Sequence, residues 1–199
     1  MSQSYLRQAL ENIECPRILV IGDLMLDHYS WGEVDRISPE APIPVMRVLR
    51  EDQRLGGAGN VVMNLVTLGA EVSVCGVTGK DETGEIINKL LAEIEVDRSG
   101  VIVSENHKSC LKHRMIAGQT HLLRMDIDPD PNTDLTQNQL IEYLQEKVPN
   151  CDAAIVSDYG KGLLSSSVLK ELASCGKKHG IPIIGDPKHT TNYSIYQDF

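Results

Sequence analysis

A glycine-rich turn leading into an apolar helix pattern constrains this chain more than any other stretch. Glycines at positions 56, 57 and 59 and Asn60 open an apolar run that closes on Gly69. Such a final glycine predicts the residue just past a helix C-terminus. Glycines before a helix let a ligand contact bare backbone and the helix N-terminal amides. A tight loop that packs the helix onto a sheet accounts for the same residues equally well.

An apolar run over residues 17–22 is typical of a strand buried on both faces of a parallel sheet. Two carboxylates, Asp23 and Asp27, come directly after it. Ligands of open α/β sheets bind at the carboxyl ends of strands, so both side chains are candidates. We expect Asp27 to bind a ligand, whereas Asp23 is equally well explained as the cap of a turn.

The rest of the chain alternates between strand and helix patterns. Residues 31–40 read as irregular, and prolines at 42 and 44 before the strand 45–49 favour an edge strand or a flap. Segments 111–116 and 121–125 form a hairpin-like pair. Further strands are predicted at 71–77, 101–103, 153–156 and 181–185, and helices at 4–12, 83–94, 136–147 and 165–175. This order predicts an α/β sandwich with a mainly parallel sheet.

Four polar motifs fall where predicted strands end. They are Asp23 with Asp27, Gly56-Gly57 with Asn60, Asp158 with Lys161, and Asp186 with Lys188. Carboxylates accept hydrogen bonds from hydroxyls, and lysines and glycine amides donate to phosphate, so the set predicts a hydroxyl-rich, phosphorylated ligand. Lys112 and Arg114 add positive charge on the hairpin, although an ordinary solvated strand face would look the same.

Composition and motifs exclude several function classes. The net charge of −9 argues against general binding of nucleic acid or anionic membranes. Five scattered cysteines without metal-ligand spacing are typical of free thiols in a reducing cytoplasm. The sequence contains no P-loop, and Val62 and Thr78 stand where a dinucleotide fingerprint needs glycine and an acid, which disfavours a Rossmann-like dehydrogenase.

Five motifs together resemble the ribokinase/phosphofructokinase-B family of sugar kinases, over nearly all of residues 17–197. Beyond the glycine turn, they are Gly22-Asp-Leu-Met-Leu-Asp27, Ile37-Ser-Pro-Glu-Ala-Pro-Ile-Pro-Val45, Ser157-Asp-Tyr-Gly-Lys-Gly162 and Asp186-Pro-Lys188. The second and third of these are most similar to the D-glycero-β-D-manno-heptose-7-phosphate kinase domain of bifunctional heptose kinase/adenylyltransferases, which make ADP-heptose for lipopolysaccharide core. The resemblance implies a ribokinase-like three-layer α/β/α sandwich with a small β-lid from about 36–50 and 109–126.

The resemblance also implies residue roles. Asp23, Asp27, Gly56, Gly57 and Asn60 would bind the sugar. Lys112 and Arg114 would face the phosphate that the sugar already carries. The motifs that contain Asp158, Lys161, Asp186 and Lys188 would line the path from sugar to nucleotide. ATP and Mg²⁺ are the implied cofactors, a homodimer through the β-lid the implied assembly, and the cytoplasm the implied location.

The family's catalytic base stands in a Gly-Ala-Gly-Asp motif, and residues 1–199 do not contain that motif. The resemblance therefore implies that the base lies beyond residue 199, with most of the nucleotide-binding part. We expect this chain to be incomplete, to hold no catalytic residue and to be inactive alone. The alternative is a non-catalytic sugar-phosphate-binding protein, or a regulatory or dimerisation partner of a full-length kinase.

Overall fold

The pattern of apolar residues along the sequence, continuous in some segments and alternating in others, determines where the strands and helices form. In the computed structural model, which describes residues 15–129, 134–188 and 193–199, the strands in chain order are β1 (Arg17–Gly22), β2 (Leu24–Ile37), β3 (Pro44–Gly57), β4 (Glu71–Gly79), β5 (Asp97–Ser104), β6 (Cys110–Ala117), β7 (Thr120–Ile127), β8 (Ala153–Ser157) and β9 (Ile183–Asp186). The helices are α1 (Ala58–Thr67), α2 (Glu82–Glu93), α3 (Asp134–Lys147) and α4 (Ser166–His179). Single 3₁₀ turns cover Val148–Asn150 and Ser194–Tyr196.

The apolar strand β1 lies at the centre of a five-stranded, fully parallel sheet with the order β5-β4-β1-β8-β9. Side chains alternate across a strand, so β1 contributes to two cores. Leu19 and Ile21 belong to a buried cluster with Leu144 of α3, and Val20 belongs to a second one with Val62 of α1. Helices therefore cover both faces, which confirms the predicted three-layer α/β/α sandwich.

Capping residues fix where the covering helices begin and end. The Asp81 side chain accepts a 2.7 Å hydrogen bond from the Gly84 amide at the start of α2. Ser165 caps α4 in the same way, and Gly180 ends α4 in the left-handed conformation with φ of 70°. These caps satisfy amides and carbonyls that a helix terminus leaves without partners.

The other four strands form a separate sheet with the order β3-β2-β6-β7. The prediction that residues 31–40 are irregular is wrong for Trp31–Ile37, because β2 continues to Ile37 against β3. Two register shifts, at Trp31/Gly32 and Val34/Arg36, interrupt the alternation by which a strand is recognised. The β2–β3 pair thus reaches from Leu24 to Gly57, beyond the expected range 36–50, and β6–β7 is the predicted hairpin.

The edge position expected from the prolines is confirmed, because β3 begins at Pro44 and forms one edge of this sheet. The predicted helix at residues 4–12 lies outside the described residues. In the described ranges, no helix is both long and apolar enough to cross a membrane.

Candidate functional site

Asp23 leaves β1 next to β8, and its side chain is almost fully buried with 4% exposure. Its Oδ2 atom accepts hydrogen bonds from the backbone amides of Tyr159 at 2.8 Å and Lys161 at 3.1 Å. Burial raises the pKa of the Asp23 carboxyl, and these two amides offset only part of that rise. Asp23 therefore holds the loop that follows β8.

The position of Asp27 in the sequence suggested a loop after β1. The structure instead places Asp27 inside β2 of the four-stranded sheet. Its neighbour in register on β6 is Lys112, and Tyr29 is paired with Arg114. Arg114 Nη1 donates a 2.5 Å hydrogen bond to Asp27 Oδ1, and the two side chains are 19% and 21% exposed. Partial burial lowers the pKa of Arg114, but the bond and charge of Asp27 outweigh it and raise that pKa overall.

The glycine turn brings bare backbone up to this ion pair. A Cβ added at Gly56 would overlap the Asp27 carboxylate, and one added at Gly57 would overlap the carbonyl oxygen of Asp23. Gly57 has φ of 55° and ψ of −130° and directly precedes α1, in whose first turn Asn60 is exposed. The predicted glycine beyond the helix is also confirmed, since Gly69 has φ of 89°.

Lys112 and Lys161 each contact another side chain near the four-stranded sheet. The Lys112 ammonium lies 5.4 Å from the centre of the Tyr159 ring, within range of a cation–π interaction. Lys161 Nζ donates a 2.6 Å hydrogen bond to Asp128 Oδ1, which also accepts from the Cys110 thiol at 3.5 Å. Desolvation lowers the pKa of Lys161, but Asp128 outweighs it and raises that pKa overall.

The ends of β8 and β9 bring Asp158, Asp186 and Lys188 together. The Asp158 amide donates to the Asp186 carbonyl at 3.0 Å. The Asp158 carboxylate accepts from the Gly160 amide at 2.7 Å and from the Tyr196 hydroxyl. The Lys188 side chain packs against Gly160. A Cβ added at Gly160 would lie only 2.6 Å from Lys188 Cδ.

Sequence reasoning missed three partners of the candidate residues. From the sequence, no role is assigned to Asp128, to Tyr196 or to the Tyr159 ring. Only Tyr159 had a local signal, because it lies inside the Ser157–Gly162 motif. The other two are 33 and 38 positions from the residues that they contact, a distance that no spacing rule covers.

The arrangement offers donors and acceptors suited to a polyol phosphate. The Asp27–Arg114 pair can accept from one hydroxyl and donate to another group, while Lys112 supplies a second positive charge in register with Asp27. The Gly56–Gly57 backbone is buried, and its lack of a Cβ lets the Asp27 carboxylate and the Asp23 carbonyl pack directly against it. Lys188 and the Asp186 side chain are exposed where β9 ends.

Comparison with known proteins finds similarity to carbohydrate kinases. Residues 16–195 match the family described as "pfkB family carbohydrate kinase". The chain is 43% identical over 182 residues to Bifunctional protein HldE of Desulfatibacillum aliphaticivorans, covering 91% of this chain and 37% of that protein. It is 40% identical over 198 residues to Bifunctional protein HldE of Trichlorobacter lovleyi, covering 99% of this chain and 40% of that protein. The chain thus spans about two fifths of the length of these curated relatives.

Solved structures share the fold at low sequence identity. Arabidopsis thaliana ribokinase complexed with ribose and ATP superposes with a TM-score of 0.63 at 16% identity, covering 86% of this chain and 53% of that one. The tetrameric inhibited form of phosphofructokinase-2 from Escherichia coli superposes with a TM-score of 0.64 at 21% identity, covering 86% of this chain and 55% of that one. The fold is therefore ribokinase-like. Because the family match spans most of its residues, this chain belongs to the pfkB family of carbohydrate kinases.

Proposed function

We propose that this chain forms the sugar-binding part of a kinase that transfers phosphate from ATP to the anomeric hydroxyl of D-glycero-β-D-manno-heptose 7-phosphate. The observation that carries the proposal is the partly exposed Asp27–Arg114 pair beside the bare backbone of Gly56. The pfkB family supports sugar phosphorylation, and the similarity to Bifunctional protein HldE supports the heptose substrate.

The sugar-side roles follow from the chemistry of each group. Asp27 accepts hydrogen bonds from sugar hydroxyls, and Gly56, Gly57 and Asn60 approach the sugar from the start of α1. Lys112 and Arg114 bind the 7-phosphate, because an ammonium and a guanidinium are the donors that phosphate oxygens prefer. Asp23 supports the site through the loop after β8, since its carboxylate is already bonded to that loop.

The nucleotide-side roles fall to Asp158, Lys161, Asp186 and Lys188. The exposed lysine at 188 suits a phosphate of ATP, and the exposed carboxylate of Asp186 is the oxygen donor that Mg²⁺ takes directly or through water. Mg²⁺ bound with ATP would neutralise charge on the transferred phosphoryl group. Asp158 and Lys161 orient the loop, because their polar atoms are bonded to Tyr196 and Asp128.

We further propose that residues 1–199 alone bind the sugar phosphate without turning it over, in the cytoplasm. The Gly-Ala-Gly-Asp motif, whose carboxylate would take the proton from the anomeric hydroxyl, is not among these residues. Preorganised charge stabilisation around the transferred phosphoryl group is the main source of catalysis in such reactions. The proposal also includes a homodimer through the four-stranded sheet acting as a β-lid.

Calorimetry with heptose 7-phosphate and the 199-residue chain tests the binding part. We expect measurable heat and a raised melting temperature with heptose 7-phosphate, and a weaker response with fructose 6-phosphate. Absence of both heat and a melting shift would defeat the proposal. An assay of ATP-dependent product formation tests inactivity separately, and robust turnover by this chain would overturn that part alone.

A further inference from the structure

Three side chains gather on the face of the four-stranded sheet opposite to Asp27 and Arg114. His28 follows Asp27 on β2, so it points to the other face, and His113 is its register partner on β6. Glu51 of β3 is paired with Ser30, two residues along the same face of β2. The cluster thus takes one side chain from each of three adjacent strands.

These side chains are close enough to share an ion. Each offers one ligand atom, and those atoms all lie within 4.8 Å of one another. The imidazole rings stack with centroids 4.1 Å apart and planes inclined by 3°. His28 and Glu51 side chains are 18% and 56% exposed, so the cluster is held by the sheet yet open to solvent on one side.

Hydrogen bonding within the cluster leaves one imidazole nitrogen, His28 Nε2, without a hydrogen-bond partner among the described residues. Ser30 Oγ donates to Glu51 Oε1 at 2.9 Å and lies 2.7 Å from His113 Nε2. His28 Nε2 lies 3.3 Å from Glu51 Oε1, but it is buried and makes no hydrogen bond to any residue that the structure describes. An orphaned buried nitrogen is costly, and a bound cation would relieve that cost.

We propose that His28, His113 and Glu51 bind a divalent transition-metal ion of the Zn²⁺ class. Two imidazoles and one carboxylate are ligands that Zn²⁺ prefers, whereas Mg²⁺ prefers an all-oxygen shell. A fourth position remains for water. The site lies on the opposite face of the four-stranded sheet from Asp27 and Arg114, and it does not depend on the proposed kinase function.

Metal binding requires a rearrangement of the three side chains. Ligand atoms around a tetrahedral Zn²⁺ lie about 3.3 Å apart, since the bonds are about 2 Å long. Parallel rings cannot both point in-plane lone pairs at one ion, so at least one ring rotates about χ2. Glu51 can keep its bond from Ser30, because a carboxylate accepts several bonds. The bound ion then links β2, β3 and β6.

Titration of the tag-free chain with Zn²⁺, and with Co²⁺ as an optical probe, tests the proposal. We expect one ion per chain, a melting temperature raised by about 5 °C at saturating Zn²⁺, and a tetrahedral Co²⁺ spectrum without a thiolate charge-transfer band. Glu51→Gln should weaken binding about a hundredfold, and His113→Gln at least as much. His121→Gln removes an exposed histidine of the neighbouring strand β7 and should change nothing.

Some outcomes would overturn the proposal. They are no saturable binding, equal loss in His121→Gln, or a thiolate band that assigns the ion to a cysteine. If His113→Gln fails to fold, the exposed Glu51→Gln variant still decides the question, because its side chain is 56% exposed and its replacement keeps the shape.

Discussion

Arg114 of β6 donates a 2.5 Å hydrogen bond to Asp27 of β2, a residue 87 positions away in the sequence. The pair is partly exposed, at 19% and 21%, so a ligand can reach both groups. Asp27 also abuts Gly56, whose missing side chain leaves room for the carboxylate. The acidic and the basic group thereby share one face of the sheet, and the buried Gly56 backbone packs against the carboxylate.

Asp27→Asn tests this surface. The amide keeps the shape but removes the charge that accepts from a sugar hydroxyl, so we expect binding of heptose 7-phosphate to weaken about tenfold or more. Calorimetry measures the change. Asp35→Asn, at a 66% exposed position of the same strand, should leave affinity unchanged. Equal affinities for wild type and Asp27→Asn would remove Asp27 from the sugar site.

Gly57→Ala and Gly118→Ala compare a crowded glycine with an uncrowded one. Both glycines have positive φ, 55° and 59°, where an alanine costs about 1–2 kcal/mol, and Gly57, with ψ of −130°, also lies outside the left-handed helical region, so its backbone strain is at least as large. Only at Gly57 would the new Cβ also collide with the Asp23 carbonyl, while nothing lies within 4 Å at Gly118. We expect Gly57→Ala to lower the free energy of unfolding by at least about 2 kcal/mol more. Urea denaturation measures both, and equal losses would contradict the close approach at Gly57.

The sequence predicted the parallel sheet well, because its signals are local. Continuous apolar runs marked β1 and β8, and Gly69 marked the end of α1 by its own backbone preference. The candidate carboxylates at 23, 158 and 186 were found by the same logic, since each directly follows or ends a parallel strand.

The four-stranded sheet was predicted less well for a physical reason. β2 carries polar side chains on both faces and two register shifts, so no two-residue period appears in its sequence. Pairings such as Lys161 with Asp128 depend on how that sheet meets the parallel one, which no local pattern encodes. The partner of Asp27 could be named only after strand register was known.

Asp97 should make stability depend on pH in the acid range. Burial raises the pKa of Asp97, but hydrogen bonds from Lys147 and Ser99 outweigh that effect and lower it to about 2 from an ordinary 3.8. A lowered folded-state pKa adds stability that is present above about pH 4 and is lost as pH falls toward 2. We expect Asp97→Asn to cost about 1 kcal/mol at pH 6, because solvent screening reduces the contribution of this half-exposed group.

The pH dependence of the difference is the decisive measurement for Asp97. Unfolding free energies of wild type and Asp97→Asn should converge as pH falls from 4 toward 2. Glu93→Gln, in an exposed pair with Lys89 at 3.9 Å, should cost only a few tenths of a kcal/mol throughout, as surface ion pairs do. A constant gap between wild type and Asp97→Asn over this range would refute the assigned role of the Asp97 charge.

The exposed apolar residues of β7 should mediate self-association. Leu123, Met125 and Ile127 alternate along this edge strand, so they lie on one face, and they are 54%, 44% and 44% exposed. An apolar stripe at a sheet edge is a surface that a second copy can cover. We expect light scattering to give about twice the chain mass of 22.0 kDa.

Leu123→Glu with Met125→Glu should give the monomer mass, because two carboxylates cannot be buried unpaired. Leu68→Glu, at an 82% exposed position after α1, should leave the dimer intact, and a monomeric wild type would rule out assembly through this face.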